Sequence, residues 1–172
     1  AAFLLPLYVA LIGGDLVAKE AEDGTLRMIL SRPVSRVRLL LLKWLAGAVF
    51  SLLLVIALGV FGLVFSRAHF HWGGLFVWLP EQSIFSSFDP TTGLLRYMAG
   101  HAMLVTEAAS IMCLAFMFSC FNIKPAAATI LALSFVFVSF IMEHIPYFRD
   151  YQNWFFTHHL NLWQLMFAES IP

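Results

Sequence analysis

Long apolar stretches alternate along the chain with shorter polar connections. A helix needs about 20 predominantly apolar residues to cross the hydrocarbon core of a bilayer. The pattern therefore predicts membrane-spanning helices at residues 39–65, 94–121 and 125–145. A shorter apolar stretch at residues 1–16 is expected to be the end of another membrane helix. The predicted fold class is an all-α polytopic membrane protein, a helical transmembrane bundle.

Composition also indicates a membrane environment. The chain is 61% hydrophobic and 12% charged, whereas a soluble domain is nearer half apolar and a quarter charged. The mean hydropathy is +0.86. The net charge of zero does not point to a nucleic-acid partner, and none is expected.

Positive charge is concentrated in the first connection, residues 17–38. The Lys and Arg residues in it or just after it are Lys19, Arg27, Arg32, Arg36, Arg38 and Lys43. By contrast, the connections at 66–93 and 146–172 carry only Arg67 and Arg149, respectively. Short loops rich in Lys and Arg stay on the cytoplasmic side of a membrane. The first connection is therefore predicted to be cytoplasmic, and the other two are predicted to lie outside.

The two outer connections are rich in Trp, Phe and His, notably at residues 70–80 and 151–167. Aromatic residues concentrate at the membrane–water boundary, so short interfacial or re-entrant helices are predicted there. Two interpretations stay open, an aromatic belt without a further role and a lid over a translocation path. The six histidines are His69, His71, His101, His144, His158 and His159. No metal site is expected, because no cysteine spacing accompanies them and adjacent histidines on a helix diverge.

A short helix is predicted within the cytoplasmic connection. Asp23 and Gly24 form a turn signal, and Thr25 is a suitable N-cap residue for a helix that follows. Pro33 disfavours a helical conformation at the residue before it. The expected helix is therefore about two turns long and bounded at both ends.

The predicted short helix has an apolar face formed by Leu26, Ile29 and Leu30. Two turns are not stable alone in water, so this face must pack against something. It packs on its own bundle or lipid headgroups, or it docks into a cytosolic partner. In the second case a polar rim would surround it, formed by Glu20, Glu22, Arg27, Arg32 and Arg36.

The cytoplasmic connection resembles the signature of the ABC type-two permeases, roughly E-x-E-x-G-T-L, three residues, L-[LS]-x-P-[VI]-S-R and a lysine that opens the next helix. Here it reads EAEDGTL at residues 20–26 and LSRPVSR at residues 30–36, followed by Lys43. The resemblance implies a coupling helix seated in a groove of an ATP-binding subunit. The residues that it assigns to this coupling are Glu20, Glu22, Gly24, Thr25, Leu26, Ile29, Leu30, Pro33 and Arg36.

The same resemblance implies six membrane helices, and this chain is expected to lack the first and the last. It implies a permease subunit that couples ATP hydrolysis by its partner to the export of an unidentified substrate. The expected complex holds two permeases, as a homo- or heterodimer, and two ATP-binding subunits in a bacterial inner membrane. The chain has no phosphate-binding loop of the form G-x-x-x-x-G-K-[ST]. It is therefore not expected to be an enzyme, and ATP and Mg²⁺ are expected on the partner alone.

Glu107 lies near the middle of a predicted membrane helix, on one stripe with Gly100, Met103 and Ser110. A carboxylate at that depth is costly and usually faces the bundle interior or water. Glu107 and Ser110 are therefore candidates for an intramembrane polar site, or they are structural. Two alternative functions follow, an ion-coupled carrier that titrates Glu107 and a non-transporting membrane anchor that recruits an ATPase. An intramembrane enzyme ranks last, since no catalytic motif is present.

Overall fold

The computed structural model describes residues 4–30, 35–69, 73–79, 84–121, 123–154, 157 and 167. In these ranges it has the helices α1 (Leu4–Glu22), α2 (Thr25–Leu30), α3 (Arg36–His69), α4 (Pro90–Ser119) and α5 (Pro125–His144), the strands β1 (Leu75–Leu79) and β2 (Ile84–Phe88), and a 3-10 helix (Pro146–Trp154). Within the described part, α3, α4 and the Pro125–Glu143 portion of α5 are long and apolar enough to span a membrane. The predicted helical membrane fold is confirmed, with the two strands as a local departure.

Helix α3 extends at both ends beyond the apolar stretch that predicted it, and α4 does so at its start. The stretch at 39–65 belongs to α3, which has 34 residues and is therefore about 51 Å long, against about 30 Å of hydrocarbon. The stretch at 94–121 belongs to α4, which begins earlier, at Pro90. Backbone hydrogen bonding continues a helix into the headgroup region, whereas hydropathy marks only the part in hydrocarbon. Pro90 suits the first helical turn because its fixed φ is already helical.

Helix α1 also continues past its apolar stretch, from Leu4 to Glu22. Its last turns carry Asp15, Lys19 and Glu20, and its described residues do not qualify as a membrane span. It nevertheless lies inside the bundle, packed most extensively against α4 and α5 and also against α3. The main core is built around it, from Leu5, Val9, Ala10, Val55, Ala108, Ile111, Met112, Ala115 and Ala132.

Small residues bring α1 very close to its neighbours. A Cβ added to Gly13 would lie 2.8 Å from the Cβ of Ala115 in α4, and a Cβ added to Gly14 would overlap the Thr129 hydroxyl in α5. On α3, a Cβ added to Gly47 would lie 2.8 Å from Leu16. Glycine at such positions lets helix backbones approach closely, as is typical of membrane bundles. These contacts fix α1 against α3, α4 and α5 at one level.

The connection between α3 and α4, which was predicted to lie outside, contains a β-hairpin and not the short helices predicted at residues 70–80. Strands β1 and β2 are antiparallel, with Leu75 opposite Phe88 and Trp78 opposite Phe85. The prediction was wrong over the described residues 75–79, because a five-residue apolar run does not distinguish a helix from a strand. Aromatic and β-branched residues favour the extended form once a partner strand is present. Residues 70–72 and 80 lie outside the described residues.

The segment that follows α5 contacts the bundle at two described residues. Thr157, which is buried, donates a hydrogen bond from its hydroxyl to Glu143 Oε2 at 2.8 Å. Phe167 is also buried, and its ring packs against Gly100. Gly100 lies about 15 Å along α4 from its first residue, Pro90, at 1.5 Å per residue. The segment after α5 therefore contacts α4 well inside the helix and not at its end.

Candidate coupling site

A tight turn joins α1 to α2 where the Asp-Gly pair predicted it. Gly24 has a φ of +74°, a left-handed conformation that glycine adopts without steric cost. The Asp23 N–H donates to the Lys19 carbonyl at 2.9 Å, and the Gly24 N–H donates to the Ala21 carbonyl at 3.3 Å. These bonds satisfy carbonyl groups in the last turn of α1. They hold the short helix α2 directly against the end of α1.

Thr25 has a different role from the N-cap predicted for it. It is the first residue of α2, and its hydroxyl donates to the Glu20 carbonyl of α1 at 3.2 Å. The last carbonyls of a helix lack partners within the helix, and α1 extends far enough to bring one of them within reach. Thr25 therefore ties the start of α2 to the last turn of α1.

Lys43 of α3 binds α1 at two points. Its ammonium lies 2.6 Å from Glu20 Oε1 and donates to the Leu16 carbonyl at 2.6 Å. The Lys43 side chain is only 14% exposed, against 36% for that of Glu20. Lys43 lies in the first turns of α3, where a long cationic side chain can extend to the membrane interface. In the structure, the Lys43 ammonium is instead held against α1, because the Glu20 carboxylate and the Leu16 carbonyl lie within reach.

Ser119, at the last turn of α4, binds the same part of α1 from another side. Its hydroxyl oxygen accepts the N–H of Val17 at 3.0 Å and the N–H of Ala18 at 2.9 Å. In a regular α-helix these two N–H groups bond to the carbonyls of Gly13 and Gly14. Ser119 is 1% exposed, so the contact is shielded from water. A polar side chain inserted into the backbone ladder is a recognised place for a helix to bend.

We define the coupling node as Leu16, Val17, Ala18, Glu20, Lys43 and Ser119. Within the node, α1 is bonded to α3 through Lys43 and to α4 through Ser119. A further bond joins α3 to α4, in which the Trp44 indole N–H donates to Cys113 Sγ at 3.2 Å. The node therefore links the base of α2 to three helices of the bundle.

The predicted coupling residues differ in their contacts and in their exposure to solvent. Glu20 and Thr25 bind within the chain, as described above. Glu22, Gly24 and Arg36 are exposed, and Leu26 is half-buried. Met28, which the sequence did not single out, is apolar and 69% exposed on α2. Pro33 and the side chains of Ile29 and Leu30 lie outside the described residues.

Glu107 and Ser110 do not belong to the coupling node. Glu107 is 8% exposed, and its Oε2 has no hydrogen-bond partner among the described residues. The Ser110 hydroxyl donates back to the Thr106 carbonyl of its own helix at 2.8 Å. Glu107 lies about 18 Å along α4 from Ser119, at 1.5 Å per residue. The structure does not join the two candidates by a hydrogen bond.

Among the described residues, no three His, Cys, Asp or Glu side chains are placed to hold a metal ion. His71, His158 and His159 lie outside those residues, as does the side chain of His144. The His101 ring lies against Gly59 of α3 and its Nδ1 is 2.9 Å from the Tyr97 carbonyl. His101 therefore has a packing role between α3 and α4.

Sequence reasoning missed Ser119 as a contact between α4 and α1. Its signal is a hydroxyl at the end of an apolar helix, a position from which it can bond to another helix. Leu16 was missed because it contributes a backbone carbonyl, which no side-chain pattern reveals. The Gly13-Gly14 pair was a visible signal of close packing.

Comparison with protein-family models gives a match over residues 1–160 to the family described as ABC-2 family transporter protein. Comparison with curated proteins and with solved structures gives no match. The matched range contains α1–α5, the hairpin and all residues of the coupling node.

Proposed function

Because this chain belongs to the ABC-2 transporter family and is thus an integral membrane permease of an ABC transporter, we propose that its segment 17–38 receives the motion of a separate ATP-binding subunit. ATP and Mg²⁺ bind on that subunit, and this chain takes no chemical part in hydrolysis. The motion drives export of a substrate by a complex of two permeases, as a homo- or heterodimer, and two ATP-binding subunits. The membrane is the bacterial inner membrane, with segment 17–38 on its cytoplasmic side.

The observation that carries the proposal is the position of the Lys43 ammonium. It bridges the Glu20 carboxylate and the Leu16 carbonyl, both at 2.6 Å. Thr25 bonds the same Glu20 residue through its carbonyl. One residue of α1 therefore connects the first residue of α2 with the first turns of a membrane-spanning helix.

The transmission path follows from these contacts. A displacement of α2 pulls on the last turn of α1, because the two helices share the Thr25–Glu20 bond and the tight turn at Gly24. Movement of α1 then reaches α3 through Lys43 and α4 through Ser119. Among these links, those of Lys43 involve a charged group, and such hydrogen bonds contribute about 1.5–3 kcal/mol. The neutral bonds of Thr25 and Ser119 contribute about 0.5–1.5 kcal/mol each.

The exposed part of α2 fits the docking of a protein partner. Met28 presents an apolar side chain to solvent, and its flexible thioether adapts to an irregular groove. Glu22 and Arg36 are exposed nearby in the chain and supply both signs of charge. An apolar centre with a polar rim is the usual composition of a protein–protein interface.

A pair of substitutions at Leu30 tests the docking step. Leu30→Asp removes apolar burial of about 1.5–3 kcal/mol and adds the desolvation cost of a charge, whereas Leu30→Met keeps an apolar side chain of similar volume. We expect the ATP-binding subunit to co-purify with parent and Leu30→Met permease but not with Leu30→Asp. With a transport assay in hand, Leu30→Asp is also expected to abolish ATP-driven transport. Equal co-purification and transport by Leu30→Asp and Leu30→Met would refute the docking model.

A distance measurement separates a transporter from a membrane anchor that only recruits an ATPase. Spin labels at Ser87→Cys in the hairpin and Tyr147→Cys in the 3-10 helix report on the outer side, since both side chains are exposed. In a transporter, trapping with ATP and vanadate changes the distance between them. In an anchor, it leaves that distance unchanged while the ATPase still binds.

The second candidate function is an ion-coupled carrier. One observation favours it: Glu107 is buried, and its Oε2 has no hydrogen-bond partner among the described residues. Glu107→Gln preserves the shape of the side chain and removes its ability to titrate. If the carrier function holds, transport responds to a pH gradient without ATP and Glu107→Gln abolishes that response. An ATP requirement that survives Glu107→Gln rejects the carrier.

A further inference from the structure

The hairpin has two chemically different faces. We define its aromatic face as Phe76, Trp78 and Phe85, which are 62%, 68% and 68% exposed. Phe76 and Phe85 meet edge to face, with ring centroids 5.2 Å apart. Side chains alternate between the faces of a strand, so Val77 and the buried Ser86 belong to the opposite face. The aromatic face is turned away from the bundle.

The described strands contain no Asp, Glu, Lys or Arg residue. Three large aromatic side chains exposed together, without charge among them, are unusual on a surface that faces water. Trp and Phe are, by contrast, well suited to the boundary between headgroups and acyl chains. The chemistry of the aromatic face therefore fits lipid better than it fits an aqueous loop.

The hairpin lies at the level of the outer end of α4. A Cβ added to Gly93, in the first turn of α4, would lie 2.7 Å from the Cβ of Leu75, so β1 packs directly on that turn. The Arg96 guanidinium lies 4.3 Å from the centroid of the Phe88 ring. Long cationic side chains extend from hydrocarbon toward the headgroups, and helical side chains point toward the N-terminus. Arg96 therefore marks the hydrocarbon boundary close to the hairpin.

The length of α4 also places the hairpin near the boundary of the hydrocarbon core. Its 30 residues extend about 45 Å, which matches a bilayer with both headgroup regions rather than the hydrocarbon core of about 30 Å. The first turn of α4, and the hairpin packed on it, thus lie in the outer headgroup region. The hairpin begins six residues after His69, the last residue of α3. Only 17% of the membrane-spanning part of α3 is buried, so α3 exposes an apolar surface.

We propose that the aromatic face of the hairpin lies in the outer leaflet, with Trp78 at the boundary between headgroups and acyl chains. The occupant of this surface is lipid, bound through apolar and aromatic contact and not through headgroup charge. The hairpin then acts as an interfacial anchor that fixes the outer ends of α3 and α4 relative to the membrane plane. This inference does not depend on the proposed coupling to ATP hydrolysis.

Fluorescence quenching in the full-length protein, reconstituted in vesicles, tests the proposal. Trp78 is kept as the single tryptophan, and the others are replaced by Phe, namely Trp44, Trp72, Trp154 and Trp163. Lipids that carry a spin label near the headgroup are expected to quench Trp78 more than lipids labelled deep in the acyl chain. Aqueous iodide is expected to quench it little, with zwitterionic and with anionic vesicles alike. Strong iodide quenching without lipid quenching would overturn the proposal, as would protection from both quenchers, which would indicate a protein partner.

A second label keeps the test informative if the single-tryptophan variant does not fold. Ser87 is exposed and adjoins the aromatic face, and its cross-strand neighbour is Phe76. A spin label at Ser87→Cys, with Cys113 and Cys120 replaced by Ala, is expected to be more accessible to oxygen than to a water-soluble nickel chelate. The same label at Tyr147→Cys, which is 82% exposed on the 3-10 helix, provides a comparison site outside the hairpin. Greater accessibility of Ser87→Cys to the nickel chelate than to oxygen would contradict insertion of the hairpin.

Discussion

The bond between Lys43 and α1 provides the most quantitative prediction. Lys43→Met keeps the apolar part of the side chain and removes the ammonium, together with its contacts to Glu20 Oε1 and the Leu16 carbonyl. Exposed ion pairs contribute about 0–1 kcal/mol, whereas hydrogen bonds to charged groups contribute about 1.5–3 kcal/mol. Because the Lys43 side chain is only 14% exposed, we expect a total loss of about 2 kcal/mol in unfolding free energy.

A double-mutant cycle with Glu20→Gln separates the two contacts. The Glu20 side chain is 36% exposed, so its share of the interaction is expected near the value of an exposed pair, about 1 kcal/mol. The remainder comes from the bond to the Leu16 carbonyl, which stays intact in Glu20→Gln. The assay is equilibrium unfolding of the purified permease in mixed micelles titrated with SDS. Effects of Lys43→Met and Glu20→Gln that add within about 0.3 kcal/mol would refute the ion pair, because residues in contact are expected to couple.

Two further predictions concern the packing of α1. Ser119→Ala removes two buried hydrogen bonds to α1 and is expected to lower the unfolding free energy by about 1–2 kcal/mol in the same assay. The control is Ser51→Ala, which is expected to cost less because Ser51 is equally buried but its hydroxyl donates to the Gly47 carbonyl of its own helix. Equal losses would contradict a special role of Ser119. Gly14→Ala places a methyl group against Thr129 and is expected to cost about 1–3 kcal/mol by overpacking. Thr129→Ser retains the hydroxyl and is expected to leave that cost unchanged. Thr129→Ala removes the hydroxyl but leaves the Thr129 backbone nitrogen 3.0 Å from the added methyl group, so it is expected to relieve part of the cost. An undiminished effect of Gly14→Ala in the Thr129→Ala background would rule out the hydroxyl contact.

The sequence was sufficient to predict the membrane helices, because their physical cause is local. A run of about 20 apolar residues has few alternatives to a spanning helix, and α3, α4 and α5 follow from that rule. The short helix α2 was also predictable, from the turn signal at Asp23-Gly24 and from Pro33, which disfavours a helical conformation at the residue before it. The ends of α3 and α4 were not, since a helix does not stop where hydropathy falls.

The contacts that join the helices depend on tertiary structure and were not predictable from the sequence. Glu20 and Lys43 both stand in the quoted signature, but nothing in their spacing shows that one binds the other across two helices. The role of Ser119 depends on the backbone of α1, about 100 residues earlier in the chain. The hairpin was missed because β1 forms only with β2 as a partner and with Gly93 beneath it.

The most direct test of the central claim is the accessibility of α2 from each side of the membrane. Met28 is 69% exposed, so Met28→Cys in a permease without Cys113 and Cys120 gives a reporter on the docking surface. An impermeant maleimide is predicted to leave this cysteine unmodified in intact cells and to modify it in inverted vesicles that hold the permease alone. Co-expression of the ATP-binding subunit is predicted to protect it in those vesicles. Labelling from outside intact cells, or equal labelling with and without the ATP-binding subunit, would contradict the claim that α2 is a cytoplasmic docking element.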